Sequence, residues 1–176
     1  MELKDVLKQR RSIRKFTEQD IEKDKIETII EAGLIAPSAH NRQPWRVKVL
    51  KEEKNKIVNI MREYGLSQTE DISILKTADT IERCNTLLLV YCDNFVQYEY
   101  NLLSIGAMIE NMLLMATDMK IASVWIANVC PVEESINEVF EIDSKKHKLV
   151  SAVALGYSNI IPKELTRKTL EEVYLK

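Results

Sequence analysis

Glycine is scarce in this chain, with four residues, Gly33, Gly65, Gly106 and Gly156. Neither GxGxxG nor GxxxxGK followed by Ser or Thr occurs. A glycine-rich phosphate loop works because the backbone comes close to the ligand, so any nucleotide bound here is held largely by side chains. Cysteine and histidine are sparse too: Cys84, Cys92 and Cys130 show no CxxC spacing, and only His40 and His147 join them. The odd cysteine count argues against a disulfide framework, and the small set argues against a zinc or iron–sulfur site. No stretch has the unbroken apolar length of a membrane span. Met1 to Leu7 is charged and runs into Arg10 and Arg11 without the apolar core of a signal peptide, so a cytoplasmic location is expected. A net charge of −2 gives no reason to expect a nucleic-acid or membrane partner.

What is present is an ordinary soluble composition, 45% apolar and 30% charged. The 176 residues fit one domain, 1–176, with no internal repeat or linker. Leu3, Val6 and Leu7 space a short amphipathic helix over 2–9. Ile26, Ile29, Ile30, Gly33 and Leu34 give a core-facing helix over 22–36. Trp45, Val47 and Val49 alternate with Arg46 and Lys48 as a half-buried strand. Glu52 to Tyr64 reads as a helix that stops at Gly65. Residues 66–82 are polar and weakly periodic, and are expected to form a mobile cover over a site. Thr86 to Cys92 is a buried central strand. A long helix over about 95–119 is apolar nearly all round, which implies a subunit interface. Strands follow at Ala122 to Val129 and Val150 to Tyr157, with a short helix from Glu133 to Phe140 between them. The tail from Ser158 to Lys176 is too polar for a core and too apolar at its end to hang free.

Two stretches carry chemistry. In Arg10-Arg11-Ser12-Ile13-Arg14-Lys15-Phe16, an extended backbone puts Arg10, Ser12 and Arg14 on one side and Arg11, Ile13 and Lys15 on the other. Two guanidinium forks flanking a hydroxyl match the oxygens of a phosphate. In Ala36 to Trp45, Pro37 and Pro44 stop the helix and delay the strand. Between them Ser38, His40, Asn41, Arg42 and Gln43 offer hydrogen-bonding groups, a composition that suits a site. A solvated basic run and a polar surface turn are the plain alternatives.

RRSIRKF, then PSAHNRQPW about twenty residues later, IENMLLMATDMKIASVW, and finally ALGYSN with TRKTLEEV resemble the FMN-dependent nitroreductase family in its short form. The match covers nearly the whole chain, four segments in order. It implies an α+β fold with a largely antiparallel sheet flanked by helices, and an intertwined homodimer whose C-terminal extension, 158–176, packs on the partner subunit. By motif, Arg10, Ser12 and Arg14 meet the FMN phosphate and ribityl chain, with Arg11 in the same set despite pointing away. Arg167 reaches the phosphate from the tail. Pro37, Ser38, Ala39 and Asn41 line the flavin from the other subunit, Gln43 lies near the ribityl chain or ring, and Ala127 offers a backbone N–H near flavin N5. Lys120, Ala122 and Ala127 stand where the family often has glycine, and each keeps its backbone N–H.

The resemblance further implies NADH or NADPH as electron donor and a ping-pong reaction through flavin N5 with a small-molecule acceptor, a nitroaromatic or quinone. No catalytic side chain or metal is called for, since the flavin carries the chemistry. His40 is a candidate proton donor or a surface group. Alternatives on the same fold are dehalogenation, azoline oxidation, flavin fragmentation, or a flavin-binding protein without turnover.

Overall fold

The computed structural model describes residues 1–68, 71–93 and 98–175. The chain runs α1 (Leu3–Gln9), α2 (Lys23–Leu34), β1 (Trp45–Leu50), α3 (Lys54–Ser67), α4 (Ile72–Arg83), β2 (Thr86–Cys92), α5 (Tyr98–Asp118), β3 (Ala122–Ile126), α6 (Glu133–Val139), β4 (Lys148–Gly156) and α7 (Leu170–Val173). The four strands form one sheet in the order β1-β2-β4-β3, with every neighbouring pair antiparallel. The architecture is therefore the α+β arrangement that the sequence led us to expect.

Every residue of β2 is buried, because side chains alternate between two covered faces. Leu88, Val90 and Cys92 join Val153 and Leu155 under α2 and α5, around Ile29, Ile105, Ile109 and Met112. Leu87, Leu89 and Tyr91 join Ala152 and Ala154 on the other face, under α3, α4 and α6, around Ile57, Met61, Ile74, Ile81 and Ile136. Helices on both faces account for the continuous apolar run of a central strand.

Residues 66–82 correct the sequence reading twice. The helix that begins at Lys54 continues through Gly65 to Ser67, and Gly65 is not its stop. A Cβ at Gly65 would lie 3.0 Å from Leu75 Cδ2 and 3.3 Å from Ile74 Cγ2, so glycine there admits a neighbouring helix. That neighbour is α4, a packed helix and not a loose cover. Its buried stripe is Ile74, Ala78 and Ile81. Asp71 caps it by accepting from the N–H groups of Ser73 and Ile74. Arg62 of α3 pairs with Asp79 at 3.1 Å and Glu82 at 2.8 Å, fixing the two helices together.

Three boundaries also move. The long helix spans Tyr98–Asp118, and the expected positions 95 to 97 fall outside the described residues. Strand β3 stops at Ile126, because Ala127 begins a turn whose carbonyl accepts from Cys130 N–H. Strand β4 starts earlier than expected, at Lys148. The tail beyond Ser158 is exposed throughout its described length, with one helical turn, α7, closed by a Thr169–Glu172 capping box.

Candidate active-site cleft

The segment after α1 is extended and lies beside β3. Ser12 forms a parallel bridge to Ser123, and Ile13 N–H donates to Ser123 C=O at 2.9 Å. Further on, Thr17 N–H donates to Tyr157 C=O at 2.8 Å. Phe16 packs on Gly156, where a Cβ would come within 2.7 Å of its ring. Alternation holds as expected for Arg11, which turns back to donate to the carbonyls of Lys8 and Arg10. Arg10 pairs instead with Glu110 of α5 at 3.5 Å. Ser12 and Arg14 are exposed.

Ser123 C=O points away from β4 to the free edge of the sheet. Residues alternate along a strand, so Trp125 and Ala127 turn their N–H groups to the same edge. Ile126 fits this alternation, its carbonyl turning inward to accept from the Ser151 hydroxyl at 2.9 Å. The first half of the β3 edge is thus covered by residues 12 and 13, and the second half is open.

A cleft of about 720 Å³ lies over that open half. Its walls are Arg14, the β3 edge from Val124 to Asn128, Cys130 and Pro131, and four residues of α4: Ser73, Lys76, Thr77 and Thr80. The volume suits a ligand of cofactor size, for which roughly 300–1,000 Å³ is usual. Among the described residues its charged lining groups are Arg14 and Lys76, both cationic. Burial, with a further contribution from Glu133, pushes the Cys130 thiol above its ordinary value, so it stands in the cleft as a neutral group.

The structure brings Arg14 and Ala127 to one cleft, with Ser12 and Arg10 further back along the same segment. It does not bring the second motif there. Pro37, Ser38, Ala39, Asn41 and Gln43 precede β1, on the opposite edge of the sheet from β3. Three strand spacings of about 4.8 Å separate those edges, roughly 14 Å. This loop is closed by Gln43 N–H donating to Ser38 Oγ, and it docks on α5 through Ala39 N–H and Ser104 Oγ at 3.3 Å. His40, Asn41 and Gln43 have φ of 54°, 53° and 49°, left-handed values that L residues adopt at a cost. His40 is exposed, as are Asn41 and Gln43. Arg167 lies on the exposed tail, and no ion pair or hydrogen bond joins it to the other site residues among the described residues.

Sequence reasoning missed Ser73, Lys76 and Thr77. The signal was available: Asp71 as a cap and Ile74, Ala78 and Ile81 at helical spacing leave 73, 76 and 77 on the outer face.

Residues 7–157 match the Nitroreductase family. The chain belongs to the Nitroreductase family. An Archaeoglobus fulgidus protein provisionally named NADH dehydrogenase/NAD(P)H nitroreductase is 31% identical to this family member, over 84% of this chain and 80% of its own. Iodotyrosine deiodinase of Nematostella vectensis is 26% identical, over 95% of this chain and 72% of its own. A solved nitroreductase with bound FMN from Bacteroides fragilis superposes with a TM-score of 0.81 and 25% identity, covering 100% of both chains. Among the described residues of this nitroreductase-family chain, no cluster of His, Cys, Asp or Glu could hold a metal, and no helix is long and apolar enough to cross a membrane.

Proposed function

We propose that the protein is an FMN-dependent NAD(P)H oxidoreductase reducing nitroaromatic or quinone-type acceptors. The observation that carries this reading is the cleft: an unpaired strand edge ending in Ala127, facing Lys76 of α4, with Arg14 at its margin. FMN held there would supply the redox chemistry between NADH or NADPH and the acceptor.

The donor set fits such a group. Arg14 at the cleft margin and the exposed Ser12 hydroxyl behind it offer charge-assisted and neutral bonds to a phosphate, with no glycine loop required, and Arg10 would join them on leaving Glu110. Ala127 N–H would offer the flavin a fixed backbone donor at the strand edge, and the Lys76 ammonium would offer it a second, cationic donor from α4. Cys130 and Pro131 complete the cleft's lining.

The reading includes a homodimer. Pro37 to Gln43 lies too far from its own chain's cleft to line it, so a second copy supplies that loop. On α5, Tyr100 and Leu103 are exposed, and Gly106, Ala107 and Leu114 are half-buried along one side. Gly106 seats the ring of Trp125 from β3, while Ala107 leaves the rest of that face shallow enough for another helix. The exposed tail, with Ile161, Leu165, Leu170 and Leu175, would cover a neighbour and bring Arg167 toward its phosphate.

The test is to purify the protein, record its visible spectrum and identify any released cofactor by mass. A yellow protein that oxidises NADH or NADPH with a nitroaromatic acceptor supports the reading. A colourless protein that takes up no added FMN overturns it. A second reading, reductive dehalogenation on the same cofactor, is favoured by the deiodinase relative; turnover of halogenated phenols in preference to nitroaromatics would establish it.

A further inference from the structure

We propose that Asn128 is a positioning residue of the cleft: its carboxamide ties α4 to the residue after Ala127 and so sets the backbone N–H that meets the flavin. The proposal rests on the FMN reading above.

Asn128 Nδ2 donates to Ser73 Oγ at 3.0 Å and to Thr77 Oγ1 at 3.3 Å. Those two residues are four apart and stand one above the other on the outer face of α4. The Thr77 hydroxyl already spends its hydrogen on Ser73 C=O at 2.9 Å, so only its oxygen remains for Asn128. The amide nitrogen is therefore the group that faces α4. The helix end it grips is itself fixed, since Asp71 holds the N–H groups of Ser73 and Ile74.

On the sheet side, the peptide that carries Ala127 N–H is anchored by its own carbonyl, Ile126 C=O, on the Ser151 hydroxyl. The next carbonyl, that of Ala127, is held by Cys130 N–H at 3.1 Å. These bonds orient the donor within the loop. The core that Ile74 and Ala78 share with Ile126 and Val129 brings α4 alongside. Asn128 adds the polar tie at the cleft itself, and α4 carries Lys76. One side chain thus couples the two groups that face each other across the cleft, the N–H at the β3 edge and the Lys76 ammonium. Ring electronics in a flavin depend on the charge and hydrogen bonds around it, so the coupling reaches the potential as well as the affinity.

The experiment compares Asn128→Leu, Asn128→Asp and the pair Ser73→Ala/Thr77→Val with the natural chain. FMN dissociation constant, flavin midpoint potential and thermal midpoint without cofactor are measured for each. Asn128→Leu is expected to weaken FMN about three- to tenfold, the loss of a neutral hydrogen bond, and to shift the potential. Asn128→Asp keeps an acceptor for the freely rotating Ser73 hydroxyl, so it restores affinity while its charge lowers the potential. The Ser73/Thr77 pair reproduces Asn128→Leu, and combining the two adds nothing further. Should Asn128→Leu not fold, that pair, which leaves the loop untouched, carries the same test. Unchanged affinity and potential, or a lowered thermal midpoint alone, would overturn the clamp while leaving the FMN reading intact. A natural chain that takes up no FMN overturns that reading, and the clamp's role falls with it.

Discussion

Ile13 donates its backbone N–H to Ser123 C=O at 2.9 Å, so the arginine-bearing segment is bridged to the edge of β3. The bond fixes which side chains can serve the cleft. Arg14 lines it, while Arg11 folds onto the carbonyls at the end of α1.

Arg14→Ala is therefore expected to weaken FMN binding by about 1.5–3 kcal/mol, the loss of a bond to a charged group. Arg11→Ala should leave that affinity nearly unchanged and cost about 0.5–1.5 kcal/mol of stability, since it removes bonds at a helix end. Titration of FMN against both variants checks the contrast. Equal losses of affinity would mean a diffuse basic patch.

Gly156→Ala tests the other anchor of this segment. Its Cβ would lie 2.7 Å from Phe16 Cδ1 and 3.0 Å from Phe16 Cβ, a clash at the base of the ring and not at a flexible tip. The expected cost is about 1–3 kcal/mol from overpacking. Phe16 moves with residues 12–15, so FMN affinity should fall together with the thermal midpoint. Gly156→Ala with both quantities intact would show that Phe16 does not hold the arginines in place.

The strands and the loop between Pro37 and Pro44 were legible because their signals are local. The unbroken apolar run from Thr86 to Cys92 needs covers on both faces, and Pro37 and Pro44 bracket a loop whatever surrounds it. Helix α4 went unread although Asp71 and the spacing of Ile74, Ala78 and Ile81 signal it, because polar residues dominate its exposed face and a glycine nine residues before Ile74 imitates a stop. Gly65 is a packing contact with Leu75, and only the tertiary fold shows it. The distance between the two motifs was also hidden. Nothing in the spacing of Arg14 and Asn41 tells that strand order places them on opposite edges of the sheet.

Cys130 gives a pH-dependent readout of the cleft. Burial, with Glu133 adding to it, raises its thiol above the ordinary value. A raised value means less thiolate at any given pH, and the thiolate is the reactive form. Alkylation of Cys130 by iodoacetamide at pH 8 should thus be slower than that of a free cysteine. Its rate should go on climbing at pH values well above about 8.5, the midpoint of a free thiol, where that thiol has already levelled off. Cys84 and Cys92 are buried and should stay unlabelled, as peptide mass spectrometry will tell. Saturating FMN should slow Cys130 further. Reaction at the free-thiol rate, indifferent to FMN, would remove Cys130 from the cleft wall.

The last prediction concerns assembly. Leu103 is 74% exposed on α5, and its replacement leaves the chain's own core untouched. In a twofold interface the residue occurs twice, so Leu103→Asp should weaken the dimer by roughly 3–6 kcal/mol, two buried leucines lost. Deleting Ile161 to Lys176 should weaken both dimer and FMN binding, because Arg167 leaves with the tail. The two effects are linked. If FMN lies between subunits, it binds the dimer and not the monomer, and stabilises the dimer by mass action. Light scattering across protein concentration should then show dissociation of Leu103→Asp that added FMN reverses. A monomer that holds FMN as tightly as the natural chain would place the whole site within one chain, and Pro37 to Gln43, at the far edge of the sheet, would have no flavin to serve.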